Sequence, residues 1–313
     1  MIANGTKFGR YEIQSLLGAG GMGEVYLAED TELERKVALK ILPETFAQDN
    51  ERMQRFVREA KSASALNHPS IITIYEIGEA DSKHFIASEY IEGETLCSRL
   101  KAQPLNLKTT LDIAIQVAGA LDAAHRAGII HRDIKPENVM IRPDGFVKLL
   151  DFGIAKLTEK QSEYNLDSEA ATAIRAHTTP GMIIGTATHM SPEQARGKQI
   201  DARSDIFSFG VTLYQMLAGK LPFEGESALD VIGSILYKEF APLSQAAPDV
   251  PRELQRIVEK CLRKDRDERY QTTKDLLIDL KDVRQEVEFQ NKLERTASPN
   301  REESKTQIIS ATT

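Results

Sequence analysis

Residues 131–138 read HRDIKPEN, a short polar stretch enclosed by two apolar runs, which we call the HRD loop. Polar residues between two β-like runs ordinarily form a surface loop. In the HRD loop, however, a carboxylate, an ammonium and an amide follow one another as Asp133, Lys135 and Asn138. Groups of these three types can hold a hydroxyl, a phosphate and a metal ion in one small volume. The loop is therefore a candidate catalytic centre.

The length and composition of the chain limit the classes of protein to which this loop can belong. Its 313 residues suffice for two lobes with substantial cores. The net charge of −7 provides no basic field for nucleic acid, so we expect no such partner. Two cysteines are too few for a disulfide framework and indicate a reducing cytosol. Without a long apolar run or a secretory signal, we expect a cytoplasmic chain with no membrane segment, and an anchor in a longer parent protein stays open.

Residues 11–42 alternate in character and predict antiparallel strands. The run GAGGMGEV at 18–25, here called the glycine hairpin, interrupts them. Alone it suits a flexible turn or the opening of a dinucleotide-binding unit, but the latter needs a helix directly afterwards, and strand-like residues follow instead. A hairpin tip without side chains lets backbone N–H groups approach phosphate oxygens. Lys40, in the next strand, either faces solvent or contacts those phosphates.

Periodicity predicts the other elements of the chain. The segment around 158–181 is polar with little periodicity and is typical of a mobile surface segment. Residues beyond 286 also turn polar, which indicates a tail or linker. We predict helices over 49–66, 107–127 and about 201–218, strands over 71–77, 85–90, 139–141 and 147–150, and broken helical segments over 228–284.

The order of these motifs resembles the eukaryotic-like (Hanks-type) serine/threonine protein kinases of bacteria. The motifs are the glycine hairpin, VALK ending at Lys40, the HRD loop, DFG beginning at Asp151 and SPE ending at Glu193. The resemblance covers about residues 11–280 and implies an α+β, bilobal kinase fold. The expected parts are an N-terminal extension over 1–10, a kinase domain over 11–284 and a polar tail over 285–313. The β-rich N-lobe with one helix would span about 11–90, and the larger helical C-lobe about 93–284.

The resemblance implies transfer of the γ-phosphoryl group of ATP to serine or threonine hydroxyls of protein substrates. Asp133 would orient the substrate hydroxyl and accept its proton, while Lys135 would offset charge on the phosphoryl group. Lys40, aimed by Glu59, would hold the α- and β-phosphates. From position alone, Glu59 could equally pair with Arg55 on a solvated helix face. The ATP pocket would comprise Leu17, Gly18, Gly20, Gly23, Val25, Ala38, Lys40, Glu89, Ile91 and Met140.

Further roles follow from the same resemblance. Asn138 and Asp151 would bind Mg²⁺ (or Mn²⁺), and Ser88 would lie behind the adenine, where its small size predicts spare room. Asp205 would bond to the backbone of the HRD loop. The remaining assignments are pairing of Arg269 with Glu193, a substrate-loop role for Thr186, and phosphorylation of Thr178 and Thr179.

Regulation and partners are also implied by the resemblance. We expect autophosphorylation of the segment that contains Thr178 and Thr179, and a homodimer that acts in trans is one option. An ATP-binding pseudokinase or docking scaffold stays open as an alternative, although such a protein usually lacks one of the groups at Lys40, Asp133, Asn138 and Asp151. A small-molecule kinase is a third option, but it has no use for the docking loop at 185–193.

Overall fold

The computed structural model describes residues 2–20, 23–43, 50–152 and 187–297, without the side chains of 50–52, 55, 56, 59 and 294–297. The N-terminal part contains β1 (Lys7–Phe8), β2 (Tyr11–Gly20), β3 (Gly23–Asp30), β4 (Arg35–Ile41), α1 (Asn50–Ser64), β5 (Ile74–Ala80) and β6 (Lys83–Glu89). The C-terminal part contains β7 (Glu94–Thr95), α2 (Leu96–Ala102), α3 (Leu107–Arg126), β8 (Val139–Ile141), β9 (Val147–Leu149), α4 (Pro192–Ala195), α5 (Ala202–Ala218), α6 (Ala228–Tyr237), α7 (Leu243–Ala246), α8 (Arg252–Cys261) and α9 (Thr273–Ala297).

The N-terminal strands form one antiparallel sheet in the order β1-β2-β3-β4-β6-β5. Successive side chains of a strand point to opposite faces, and this alternation separates core from cleft. Leu39 and Ile41 of β4 are buried on one face. Ala38 and Lys40 lie on the other face, and Val25 of β3 is the direct partner of Lys40. The sheet therefore presents Lys40 and two apolar residues together on its less buried face.

The long helices of the C-terminal part pack around α5. Its sequence is apolar on nearly all sides, and such a helix is stable only when buried. Asp201 caps its first turn by accepting a hydrogen bond from the N–H of Arg203, and Gly219 ends it at φ 69°. Helices α3 and α8 pack against α5, and α9 lies along α3. These contacts place the HRD loop, which follows α3, on a rigid base.

Backbone bonds join the two parts next to the candidate site. The N–H of Leu149 donates to the carbonyl of Ser70 at 2.8 Å, and the N–H of Ile72 donates to the carbonyl of Leu149 at 3.0 Å. Strand β9 is thus tied to the segment that leads into β5. This fixes the strand that ends just before Asp151.

The fold differs from the sequence predictions at both ends of the domain and in one short helix. The predicted extension over 1–10 joins the sheet, because β1 pairs with β2 and Phe8 is buried. Helix α2 was not predicted, because a helix this short carries little periodicity. Helix α9 continues to Ala297, well beyond the expected domain end at 284, because the partly buried Val287 extends the stripe of Val283 by one turn and Arg284 pairs with Asp112 of α3. Across the described ranges no helix is both long and apolar enough to span a membrane.

Candidate active site

The HRD loop gathers its three functional groups around one carboxylate. The Nζ of Lys135 lies 2.8 Å from Oδ2 of Asp133. The side-chain amide of Asn138 donates to the same oxygen at 3.1 Å and to the Asp133 carbonyl at 2.8 Å. A short 3-10 turn from Pro136 to Asn138 brings the amide back toward Asp133. The offsets read from the sequence therefore correspond to direct contacts.

Asp205 bonds to the backbone of the loop, as the family resemblance implied. Its two carboxylate oxygens accept the backbone N–H groups of His131 and Arg132, each at 2.7 Å. Arg132 adopts φ 69°, a left-handed conformation that costs a non-glycine residue about 1–3 kcal/mol. The two bonds to a buried carboxylate stabilise this conformation, which directs the chain into Asp133.

His131 links the loop to the strand that precedes Asp151. The imidazole is fully buried, its Nε2 lies 2.8 Å from the Leu150 carbonyl, and its ring lies 4.7 Å from the buried ring of Phe152. Burial lowers the pKa of His131 below its usual value, although carboxylates lie nearby. The ring is therefore neutral at neutral pH, with Nε2–H donating to Leu150.

Lys40 and Asp151 meet across the cleft. The Nζ of Lys40 lies 2.9 Å from Oδ2 of Asp151, so two residues 111 positions apart form an ion pair. The side chain of Asp151 remains 54% exposed, and the backbone of this residue has a φ of 43°. The predicted partner Glu59 has a side chain outside the described set, so its pairing with Lys40 stays a prediction. Thr178, Thr179 and Thr186 also lie outside the described residues.

The donor set fits Mg²⁺ better than a transition metal. In the described parts of the chain, no three His, Cys, Asp or Glu side chains are grouped to hold a metal ion. Mg²⁺ usually takes one or two protein oxygens, keeps several waters and shares its remaining ligands with substrate phosphates. Asp151 offers an exposed carboxylate, and the amide of Asn138 turns its nitrogen toward Asp133, which leaves its oxygen available. These two predicted residues suit such an ion.

The predicted ATP pocket follows the cleft face of the sheet. Ser88 of β6 pairs with Ala38 of β4, and its hydroxyl lies 3.4 Å from the Ala38 carbonyl. Gly18 and Gly20 are exposed, and a Cβ added to either would contact none of the described residues. Leu17, Val25, Ile91 and Met140 are not fully buried, so their apolar surface is available to a bound base. The pocket remains a prediction, supported by this placement.

A buried ion pair anchors the SPE triplet. The guanidinium of Arg269 contacts both carboxylate oxygens of Glu193, at 2.8 and 3.0 Å, as the family resemblance implied. The hydroxyl of Ser204 donates to Glu193 at 2.6 Å. Burial alone would raise the pKa of Glu193, but these donors hold it below its ordinary value. The Glu193 carboxylate is therefore charged and paired. It joins the SPE triplet to α5 and to the turn before α9.

Three contacting residues were missed by the sequence analysis. Gln194 donates from its amide to the Arg132 carbonyl at 2.8 Å, and His125 contacts Asp205 at 2.7 Å. Lys148 of β9 lies 2.6 Å from the Glu89 carboxylate. The sequence offered one signal for two of them, a polar residue at an apolar position. Lys148 lies inside an apolar strand, and His125 lies in the last turn of a largely apolar helix.

Comparison with known proteins supplies the family. The model of the protein kinase domain matches residues 11–278. The chain is 42% identical over 274 residues to the serine/threonine-protein kinase PrkC of Bacillus subtilis, covering 87% of this chain and 40% of that protein. It is 41% identical to PknB of Mycolicibacterium smegmatis, covering 87% of this chain and 42% of that protein. The crystal structure of the Mycobacterium tuberculosis PknI kinase domain matches with a TM-score of 0.68 and 27% identity, covering 90% of this chain and 99% of that one.

The chain belongs to the protein kinase family, in the group of Hanks-type serine/threonine kinases that bacteria contain. The predicted bilobal kinase fold is thereby confirmed. The chain spans about two-fifths of the length of the curated relatives that it matches.

Proposed function

We propose that this domain transfers the γ-phosphoryl group of ATP to serine and threonine hydroxyls of proteins. The observation that carries the proposal is the contact set around Asp133, where the ammonium of Lys135 and the amide of Asn138 lie 2.8 and 3.1 Å from the same carboxylate oxygen. Phosphoryl transfer needs little covalent help from protein and depends on positioning and charge neutralisation. This set, facing the Lys40–Asp151 pair, offers both.

The roles of the side chains follow from their charges and places. Asp133 accepts a hydrogen bond from the substrate hydroxyl and takes its proton as the oxygen attacks. Lys135, already beside that carboxylate, offsets negative charge on the phosphoryl oxygens. Lys40 reaches from the N-lobe toward the same cleft and attracts the α- and β-phosphates. Alignment of two reactants can lower a barrier by about 7–11 kcal/mol, which makes the rigid base of the HRD loop important.

Mg²⁺ or Mn²⁺, when bound, would neutralise charge on the β- and γ-phosphate oxygens. Asn138 and Asp151 are the residues that would hold it. Their own contribution is to keep two hard oxygen donors at the mouth of the cleft. Lys40 contacts Asp151 at 2.9 Å, so the ammonium also orients that carboxylate.

The test is phosphoamino-acid analysis of a generic substrate, such as myelin basic protein, after incubation with Mg-ATP. We expect phosphoserine and phosphothreonine, and we expect Lys40→Met to remove them. Phosphotyrosine alone would contradict the proposed hydroxyl class. An inactive wild-type chain that still binds ATP would favour the pseudokinase alternative.

Regulation forms a second part of the proposal. We infer that the chain phosphorylates itself at Thr178 or Thr179, and that one copy acts on another. Arg132, which precedes Asp133, is the cation expected to receive the new phosphate. Mixing an active chain with a tagged Asp133→Asn chain tests this. Phosphate on the tagged chain is expected, while full activity of the Thr178→Ala/Thr179→Ala variant would contradict the site.

A further inference from the structure

A continuous set of hydrogen bonds connects the first residue of α9 to the HRD loop. The hydroxyl of Thr273 lies 2.7 Å from Nδ1 of His125. Nε2 of His125 lies 2.7 Å from Oδ2 of Asp205. Asp205 in turn accepts the N–H groups of His131 and Arg132. Three helices and the loop are thus joined through side chains that are almost completely buried.

The Asp205 carboxylate determines which atoms of this set carry the protons. A carboxylate only accepts hydrogen bonds, so His125 must carry a proton on Nε2. The other neutral tautomer would place two lone pairs 2.7 Å apart in a buried environment. In the neutral ring, Nδ1 is then an acceptor, and the Thr273 hydroxyl donates to it. The Asp205 carboxylate therefore selects the tautomer with the proton on Nε2, and Thr273 supports this tautomer by donating to Nδ1.

Resting on the proposed function, we propose that His125 and Thr273 are positioning residues for phosphoryl transfer. They hold the Asp205 carboxylate at the place and angle where it can accept both N–H groups of the loop. Neither residue touches a substrate. Their effect reaches Asp133 through Asp205 and the backbone of His131 and Arg132.

The conformation of Arg132 explains why this matters for catalysis. Its φ of 69° is unfavourable for a residue with a side chain, and the bonds to Asp205 and from Gln194 oppose its relaxation. If Asp205 rotates, Arg132 is free to return to negative φ. The peptide plane before Asp133 would then turn, and the carboxylate would leave Lys135. The ATP contacts on the N-terminal sheet are not affected by such a change.

The alternative is that these bonds only fasten α9 to α3. If that were their role, each substitution would lower the stability of the protein in proportion to the packing that it removes. Such a role would not separate kcat from the KM for ATP. A purely structural role would also give the same result for a variant that replaces Nδ1 of His125 and for one that replaces Nε2.

Two matched pairs of variants test the proposal. In His125→Gln the amide nitrogen can occupy the place of Nε2 and still donate to Asp205. In His125→Asn the amide reaches only the place of Nδ1, so the bond to Asp205 is lost. Thr273→Ser keeps the hydroxyl, and Thr273→Val removes it at nearly constant volume. The measurements are kcat, the KM for ATP, the melting temperature, and hydrogen exchange of the His131 and Arg132 amides.

We expect His125→Asn to lower kcat about tenfold or more, with the KM for ATP changed less than about twofold. His125→Gln should stay within about threefold of wild type, and Thr273→Val should fall below Thr273→Ser. The amides of His131 and Arg132 should exchange faster in His125→Asn than in His125→Gln. Wild-type kcat in all four variants, or equal losses that follow the melting temperature, would overturn the proposal.

The exchange measurement keeps the two proposals apart. A wild-type chain without transferase activity would contradict the proposed function alone. In that case, equal amide exchange in the Asn and Gln variants would still overturn the positioning role, and faster exchange in His125→Asn would support it.

Discussion

The HRD loop and the glycine hairpin serve the same predicted nucleotide cleft in opposite ways. Backbone N–H and carbonyl groups and side chains of the HRD loop are bonded to Asp205, Gln194 and each other, at distances between 2.7 and 3.1 Å. In the hairpin, Gly18 and Gly20 are exposed, and an added Cβ at either position would meet nothing in the part of the chain that the structure describes. One region provides fixed charges, and the other provides room for a ligand.

This difference shows why the two motifs need different residue types. A catalytic carboxylate loses efficiency when it moves, so the chain supplies buried partners from α3, α4 and α5. Backbone N–H groups can approach phosphates only where side chains are absent, so the hairpin uses glycine. Mutations in the bonded region should therefore cost stability or kcat. Mutations in the open region should change ligand affinity, except where the backbone itself requires glycine.

The largest effect on stability is expected at the Arg269–Glu193 pair, which bonds the SPE triplet as Asp205 bonds the HRD loop. Arg269→Ala leaves Glu193 buried without its partner, and breaking one side of a buried ion pair costs about 3–5 kcal/mol. Arg266→Ala is the matched control, because Arg266 forms an exposed pair with Asp201 at 3.2 Å and such pairs contribute at most about 1 kcal/mol. Urea unfolding of both variants measures the contrast. Equal losses would show that burial does not decide the cost.

The second prediction distinguishes two glycines of the hairpin. Gly23 has φ 111°, and an added Cβ would collide with the backbone carbonyl of Ile41. Gly23→Ala should therefore lower the free energy of unfolding by about 2–3 kcal/mol. Gly20→Ala should change it by less than about 0.5 kcal/mol and act instead on the KM for ATP. A Gly20→Ala variant as unstable as Gly23→Ala would contradict the division between open and bonded regions.

The third prediction concerns pH and the buried His189. Burial lowers the pKa of His189 from 6.5 to about 4, and its ring contacts Thr188 and Gln215 in the neutral form. Between pH 7 and 5 the unfolded chain gains this proton and the folded chain does not, so stability falls as the pH falls. The loss should be about 1–2 kcal/mol greater in wild type than in His189→Gln. Parallel pH dependences in urea unfolding would contradict the assignment.

The smallest effect is a change of nucleotide preference at Ser88. Its side chain is small and borders the cleft face beside Ala38, so the wild type should use an ATP analogue with a bulky substituent on the adenine amine. Ser88→Phe should lose use of that analogue by at least about tenfold, equivalent to about 1.4 kcal/mol, while still using ATP. Steady-state kinetics with both nucleotides measures this. Equal preference in the two proteins would mean that Ser88 does not border the pocket.

Local patterns predicted most of the fold and the centre of the site. Strand alternation around Lys40 and the fixed offsets in the HRD loop are short-range signals, and both correspond to the structure. The contacts of Asp205 and of Arg269 with Glu193 were expected from family resemblance alone. No spacing in the sequence indicates them, because the partners lie 73 to 76 positions apart.

The missed features depend on long-range packing or on continuity beyond a motif. His125 and Gln194 become parts of the loop's support only when α3, α4 and α5 meet. Lys148 contacts Glu89 only because β9 lies against the segment before β5. Helix α9 runs past the expected end at 284 because Val287 and the Arg284–Asp112 ion pair continue its contacts with the core and α3, while most other residues there are polar.

The central claim is that Asp133 performs a chemical step and does not bind ATP. Asp133→Asn keeps the size of the side chain but removes the charge that accepts a proton. Single-turnover phosphoryl transfer and ATP affinity should be measured on the same variant. We predict a loss of about 10²–10⁴-fold in the transfer rate, typical of removing a general base, with the Kd for Mg-ATP changed less than about threefold. A variant that retains most of its transfer rate would contradict the claim.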